Sequence, residues 1–272
     1  MSITVASLWD PAARLEAARL MGAGHAIGAF ARGVCAIMGD GANPAFVNAV
    51  VRAKGEKRRT QPLAGLLEAA TLVPLLDAAQ IPADLHPIFL DPAEFSARLG
   101  SLCFIRLPVT EAAARQLPPL MVSRSAGGTP IIQNWDPAGH PALGALFTAA
   151  RAHGLAYPAG TSMNRSGQPE IADQEEGQAF AAQAGMPLFL TDPRDKQIAR
   201  GSYTILGVSP AGVSIVREGN IPGALFGQLL QTTLNRAVER EARFAQPVFP
   251  GAVTTGADPH AIRLQVIEYV AG

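Results

Sequence analysis

Thr161-Ser162-Met163-Asn164-Arg165-Ser166-Gly167 is the stretch whose reading decides the fold of this chain. It follows an apolar run, Leu155 to Gly160, that reads as a strand entering a polar turn. Ser162, Asn164 and Ser166 are turn formers, and an ordinary Asx or Ser turn accounts for them. The same hydroxyl and amide groups also hydrogen-bond phosphate or carboxylate oxygens without adding charge. A loop at the end of a sheet strand is where α/β folds place ligands. Residue chemistry alone leaves these two readings level.

Outward from that turn, caps and periodicity give the elements. Asp10-Pro11 opens an amphipathic helix running to Met21, closed by Gly22 and Gly24. His25 to Met38 reads as a buried strand, a turn at Ala31-Arg32-Gly33 and a second apolar stretch. Asn43-Pro44 opens the next helix. Helical pattern recurs at Leu66 to Leu76, Pro92 to Leu99, Pro141 to His153 and Glu175 to Ala184. Strand cores are expected at Met121-Val122, Ile131-Ile132, Leu188 to Thr191, Tyr203 to Val208 and Val213 to Val216. A helix from Pro222 to Arg243 and a strand from Ile262 to Val270 complete the chain. The irregular alternation predicts a single α/β domain, a twisted mixed β-sheet flanked by helices. Residues 1–220 form that domain, and 221–272 a helix and strand extension packed on it.

Composition narrows the function. Of 272 residues, 48% are apolar and 16% charged, which excludes a disordered chain. Net charge is zero, so any polyanion must be met by a local cluster of cations rather than a global field. Cys35 and Cys103 lie in no metal or disulfide pattern, and the five histidines have no ligand spacing, so no protein metal site is expected. No signal segment and no apolar run of roughly 20 residues is present, which predicts a cytoplasmic protein without a membrane span. Gly22-x-Gly24-x-x-x-Gly28 follows a helix and precedes a strand, the reverse of a dinucleotide fingerprint. The Lys54 to Arg59 cluster can neutralise phosphate oxygens, or simply complement a helix C-terminus.

The turn and the cation cluster together resemble the YrdC-like family, the fold of the threonylcarbamoyl-adenylate synthases. Its members carry a Lys-x-Arg pair after an early helix and then Pro-Leu. A Ser-x-Asn before Ser-Gly follows, and later a Ser-Thr ahead of two strands ending in Arg-x-Gly. Here Lys57-Arg58-Arg59 precedes Pro62-Leu63, and Ser162-Met163-Asn164 precedes Ser166-Gly167. Tyr203-Thr204-Ile205-Leu206, with Tyr203 at the serine position and Ser202 adjacent to it, leads into the strand pair that ends in Arg217-Glu218-Gly219. The order holds over residues 15 to 220.

The resemblance implies a deep positive cavity and an activity that joins L-threonine, bicarbonate and ATP into threonylcarbamoyl-adenylate for tRNA modification. A related domain serves carbamoyltransferases that make and consume carbamoyl-adenylate. ATP as substrate, magnesium, a bicarbonate or carbamoyl donor, an amino acid-like acceptor and tRNA are the implied partners. Lys57, Arg59, Ser162 and Asn164 fall at catalytic positions. Lys54, Arg58, Thr161, Ser166, Ser202, Thr204 and Arg217 fall around the nucleotide phosphates. Lys54 with Arg58 fits the Lys-x-Arg register as well as Lys57 with Arg59.

Departures from the family pattern shape the functional expectation. The segment that helps hold threonine aligns with Phe30 to Ile37, where both threonines and the tyrosine are gone, so the acceptor need not be threonine. Arg32 stands there instead, either meeting an anionic substrate group or facing solvent in a turn. The family's Pro-Gly-Pro-Leu-Thr stretch is reduced to Arg106-Leu107-Pro108-Val109-Thr110, and a family arginine appears as Gln133. Losing a phosphate-binding cation costs about 2–4 kcal/mol of transition-state stabilisation unless another replaces it. The expected protein is a divergent nucleotidyltransferase or carbamoyltransferase that binds ATP or an acyl-adenylate and forms or uses a carbamoyl-adenylate. The alternative, from a different class, is a non-catalytic binder of tRNA or double-stranded RNA. Neutral charge and the lack of aromatic residues near Lys54 to Arg59 count against it.

Overall fold

A capping side chain followed by proline starts helix after helix in this chain. Asp10 accepts from the Ala12 N–H, Asn43 from Ala45, and Asp91 from Ala93 and Glu94, while Pro11, Pro44 and Pro92 fix the first turn. The computed structural model describes residues 3–195 and 200–220, together with Leu234 and the pair 239–240. The first elements are β1 (Thr4–Ser7), α1 (Pro11–Gly22), β2 (Ile27–Ala31), β3 (Val34–Asp40) and α2 (Pro44–Lys54). Then come β4 (Ala64–Gly65), α3 (Ala69–Leu72), α4 (His86–Phe89), α5 (Pro92–Leu99), β5 (Phe104–Pro108) and α6 (Glu111–Gln116). The middle is completed by β6 (Val122–Arg124), β7 (Pro130–Asn134), α7 (Pro141–Ala152) and β8 (Pro158–Ser162). Last are α8 (Gln174–Gln183), β9 (Leu188–Thr191), β10 (Ile205–Ser209), β11 (Gly212–Arg217) and β12 (Glu239–Arg240).

The strands form one mixed sheet in a single α/β domain, ordered β1-β9-β2-β3-β8-β4-β7-β5-β10-β11-β12, with β6 paired to β7. Alternation along each strand feeds two apolar layers. On β3, Cys35 and Ile37 enter one core with Phe30, Phe46 and Phe189, while Met38 enters the other with Ala29, Trp135 and Leu143. The second layer includes α1 and α7, which pack against each other. Gly39 lets this happen closely on the first side, since a Cβ there would stand 2.3 Å from the Phe46 ring. Short β4 is secured by a side chain. Asn134 at the end of β7 donates to the Leu67 carbonyl and accepts from the Leu67 N–H, both at 2.9 Å, extending the ladder by one rung.

Most of the expected elements form, with instructive shifts. The Leu66 to Leu76 segment is broken into α3 and a 3-10 turn, Val73–Leu75, because Pro74 cannot continue an α-helix. The strand expected at Leu155 to Gly160 starts at Pro158 and runs through Ser162, so Thr161 and Ser162 belong to the strand rather than to the turn. Strands β1 and β5 and helix α6 are additions to the sequence reading. Of the helix expected from Pro222 to Arg243, Glu239 and Arg240 instead pair in parallel with β11, whose ladder would otherwise end unpaired. The rest of that segment, apart from the helical Leu234, and the strand expected at Ile262 to Val270 lie outside the described residues. Among the described residues, no helix is long and apolar enough to cross a membrane.

The Asn134 rung predicts a specific loss. Asn134→Ala leaves the Leu67 N–H and C=O buried without partners, and should lower the unfolding free energy by about 2–3 kcal/mol in urea titrations.

Candidate functional site

Helix α2 ends on a buried lysine. Lys54 is 6% exposed, and its ammonium donates to the carbonyls of Ser162 and Asn164 and to Asn164 Oδ1, the longest of these at 2.9 Å. Ser162 Oγ donates to the same Asn164 Oδ1 at 2.8 Å, and Asn164 Nδ2 to the Gln168 carbonyl at 2.6 Å. The Ser166 N–H donates to the Lys54 carbonyl at 3.2 Å. A side chain from one helix end thus fixes the whole Ser162 to Gln168 turn. Burial first, and the Arg58 charge second, push the ammonium down to about 7 against the opposing pull of Glu170.

After Lys54 the chain breaks helix at Gly55, with φ 99°, and turns through a 3-10 segment, Glu56–Thr60. Successive residues of such a turn point roughly 120° apart, so consecutive cations cannot share a direction. Arg58 faces inward, its guanidinium donating to the Pro62 carbonyl at 2.8 Å and to Gln61 Oε1 at 3.3 Å. Burial lowers it to about 10. Lys57 and Arg59 are exposed, and Arg59 pairs with Glu56. Of the two registers, the structure buries Lys54 and turns Arg58 inward, and leaves Lys57 and Arg59 exposed.

Beside Arg58 lies a cavity of about 470 Å³. Its wall includes Arg58, Arg106 and Arg217, with Thr161, Ser162, Ser202 and Gln133 between them. Arg106 sits directly across the antiparallel ladder from Gln133 and donates to its Oε1 at 3.1 Å. A guanidinium thus stands next to position 133 from the neighbouring strand, a placement that only the strand register reveals. Arg217 donates to the Tyr203 carbonyl at 3.0 Å and stands 4.0 Å from Glu170. Burial holds its guanidinium below the usual arginine range, with Glu170 opposing and Arg106 adding to the effect. Ser202 Oγ donates to Glu170 Oε1 at 2.6 Å. Among the described residues, the Nε–H groups of Arg58 and Arg217 have no hydrogen-bond partner.

The end of β11 is strapped onto the segment that carries Ser202. Gly219 N–H donates to Thr204 Oγ1 at 3.2 Å and Asn220 N–H to the Ser202 carbonyl at 2.6 Å. A Cβ at Gly219 would lie 2.1 Å from the Thr204 nitrogen, so only glycine permits this approach. Thr204 is spent on this strap and lies behind the wall, as do Lys54, Asn164 and Ser166. Arg32, offered by the sequence as a substrate contact, is not in the cavity wall. It is 3% exposed at the left-handed tip of the β2–β3 hairpin and donates to the Ser101 carbonyl, while Tyr203 donates to its own carbonyl at 2.9 Å. Both bonds make it a strut between loops.

Solved structures share this architecture. Sua5 of P. abyssi in complex with L-threonine superposes at a TM-score of 0.62 and 15% identity, over 89% of this chain and 63% of that one. A hypothetical protein of Streptococcus mutans gives 0.59 and 14% identity over 91% of this chain and all of its own, 100%. YciO of E. coli gives 0.53 and 15% identity over 80% and 96%. The chain has the YrdC-like fold. It spans less than two thirds of the P. abyssi Sua5 chain. No protein-family model and no curated protein matches the sequence.

For this YrdC-like chain the buried lysine gives a pH signature. With its ordinary value of 10.5 restored on unfolding, Lys54 holds a proton in the unfolded chain that the folded chain has shed between pH 7 and 10.5. The unfolded state then binds more protons, so unfolding free energy rises with pH across that window. Urea denaturation should show this rise in the wild type and a flattened one in Lys54→Met. The same rise in both proteins would place the titration elsewhere.

Proposed function

We propose that the cavity binds ATP or an acyl-adenylate, and that the chain forms or uses a carbamoyl-adenylate. One observation carries this reading: three guanidinium groups, Arg58, Arg106 and Arg217, converge with hydroxyl donors on one cavity of a YrdC-like fold. Its volume lies in the range of small-ligand sites. Guanidinium groups match phosphate oxygens in planar, two-pronged hydrogen bonds. Magnesium would arrive on the nucleotide's own phosphates, because the described wall of the cavity presents cations and hydroxyls and no carboxylate.

The chemistry then needs positioned donors rather than a protein nucleophile. An acceptor amine bonds to the bicarbonate carbon with loss of water, giving a carbamate. A carbamate oxygen bonds to the α-phosphorus, the bond to the bridging oxygen breaks, and pyrophosphate leaves with the electron pair. Arg58, Arg106 and Arg217 would hold the phosphates in line and meet the charge growing on the leaving group. Lys54 would act one step back, holding Ser162 in the cavity wall through Asn164.

Calorimetry with ATP tests the binding step directly. Arg58→Ala and Arg106→Ala should each weaken ATP by roughly 10- to 100-fold, the loss of one charge-assisted contact. Lys57→Ala and Arg59→Ala should change it little. Pyrophosphate release with ATP, bicarbonate and a panel of amino acids tests the reaction. No ATP binding, together with salt-sensitive tRNA binding, would overturn the proposal in favour of an RNA-binding role.

A further inference from the structure

A second, smaller recess opens off the cation-lined cavity. Its volume is about 70 Å³, room for roughly five waters. The two share Phe104, Gly160, Thr161, Ser162 and Ser202 as common wall. The floor of the recess is the face of the sheet. Ala29 on β2, Ala36 on β3 and Ser162 on β8 stand abreast in register, and Ala31 faces Val34 one rung along. Because these strand positions carry little beyond a Cβ, the sheet face is hollowed there rather than filled. Trp135, Leu143 and Tyr203 complete the wall on other sides.

The chemistry of this wall is uniform away from the mouth. Among the described residues lining it there is no charged side chain. The Tyr203 hydroxyl donates to the Arg32 carbonyl, and the Trp135 Nε1, without a partner among the described residues, is shut off from solvent. Apart from Tyr203, the hydroxyl groups among the described lining residues, Thr161, Ser162 and Ser202, lie where the recess meets the larger cavity. A ligand seated across both spaces would put apolar atoms inward and its polar end at the phosphates.

We propose that this recess receives the side chain of the acceptor and selects an amino acid with a branched aliphatic group of three or four carbons. Such a group fills the hollow, whereas an indole exceeds its volume and a hydroxyl finds no partner inside. The acceptor's amine and carboxylate then lie at the shared mouth, beside the cations. This assignment rests on the adenylate reading for its reaction, but its binding step stands apart from it.

Ligand-observed NMR with the full chain and single amino acids, without nucleotide, measures that step. L-valine or L-leucine should bind more tightly than L-threonine, by up to roughly 100-fold for the valine–threonine pair, the discrimination an apolar pocket achieves against an isosteric hydroxyl. Ala36→Leu, which fills the floor, should remove L-valine binding, and Ala31→Val serves if the first variant fails to fold. Equal or tighter binding of L-threonine, no binding of any aliphatic amino acid, or retained L-valine binding in a folded filled variant would each overturn the assignment. ATP binding without L-valine selectivity sinks the recess and spares the adenylate reading. L-valine selectivity without ATP binding does the reverse.

Discussion

One ammonium group holds the candidate site in shape. Lys54 ends α2 and is clasped by oxygens of Ser162 and Asn164, so helix, strand and turn meet at a single buried cation. Three acceptors satisfy its three N–H donors, which is what makes a buried charge tolerable at all. Ser162, held in β8 by its pairing with Ala36, is tied to Asn164, and Asn164 is pinned by Lys54. Remove that cation and the Ser162 to Gln168 turn keeps its sequence but loses the contact that aims it.

Around this fixed point, charge is gathered from distant parts of the chain. Arg58 comes from the turn after α2, Arg106 from β5 and Arg217 from the end of β11. Each is partly spent on a neutral oxygen of the protein, which sets its direction before any ligand arrives. Glu170 stands near Arg217 and holds Ser202, so one carboxylate tempers the field on that side. The result is a cavity whose positive charge is local while the chain as a whole is neutral.

How far the sequence revealed this follows the range of the interactions. Capped helices were legible because Asp10, Asn43 and Asp91 act on residues two or three positions away. The β2–β3 hairpin was legible because Arg32-Gly33 is a turn that local backbone geometry dictates. Thr161 and Ser162 were legible as polar residues following a strand but not as strand, since pairing with β3 extends β8 past its apolar run. The placement of Arg106 beside Gln133 was invisible, because the two are 27 positions apart and meet only across a ladder. The Lys54–Arg58 register depended on a 3-10 turn, a matter of rotation that a run of like charges does not disclose. Arg32, read as a substrate contact, is claimed by the Ser101 carbonyl on a loop that sequence spacing does not connect to it.

The alanine floor beside the site carries a consequence for how this protein can change. The side chains of the floor are anchored in strands whose pairing depends on backbone groups alone, so depth can be altered one methyl at a time while the ladder stays intact. A chain built this way keeps its folding information and its selectivity in separate atoms. It gives up some packing energy to leave the hollow open. In return, a few substitutions on β2 and β3 would suffice to pass the same scaffold from one acceptor to another over the course of divergence.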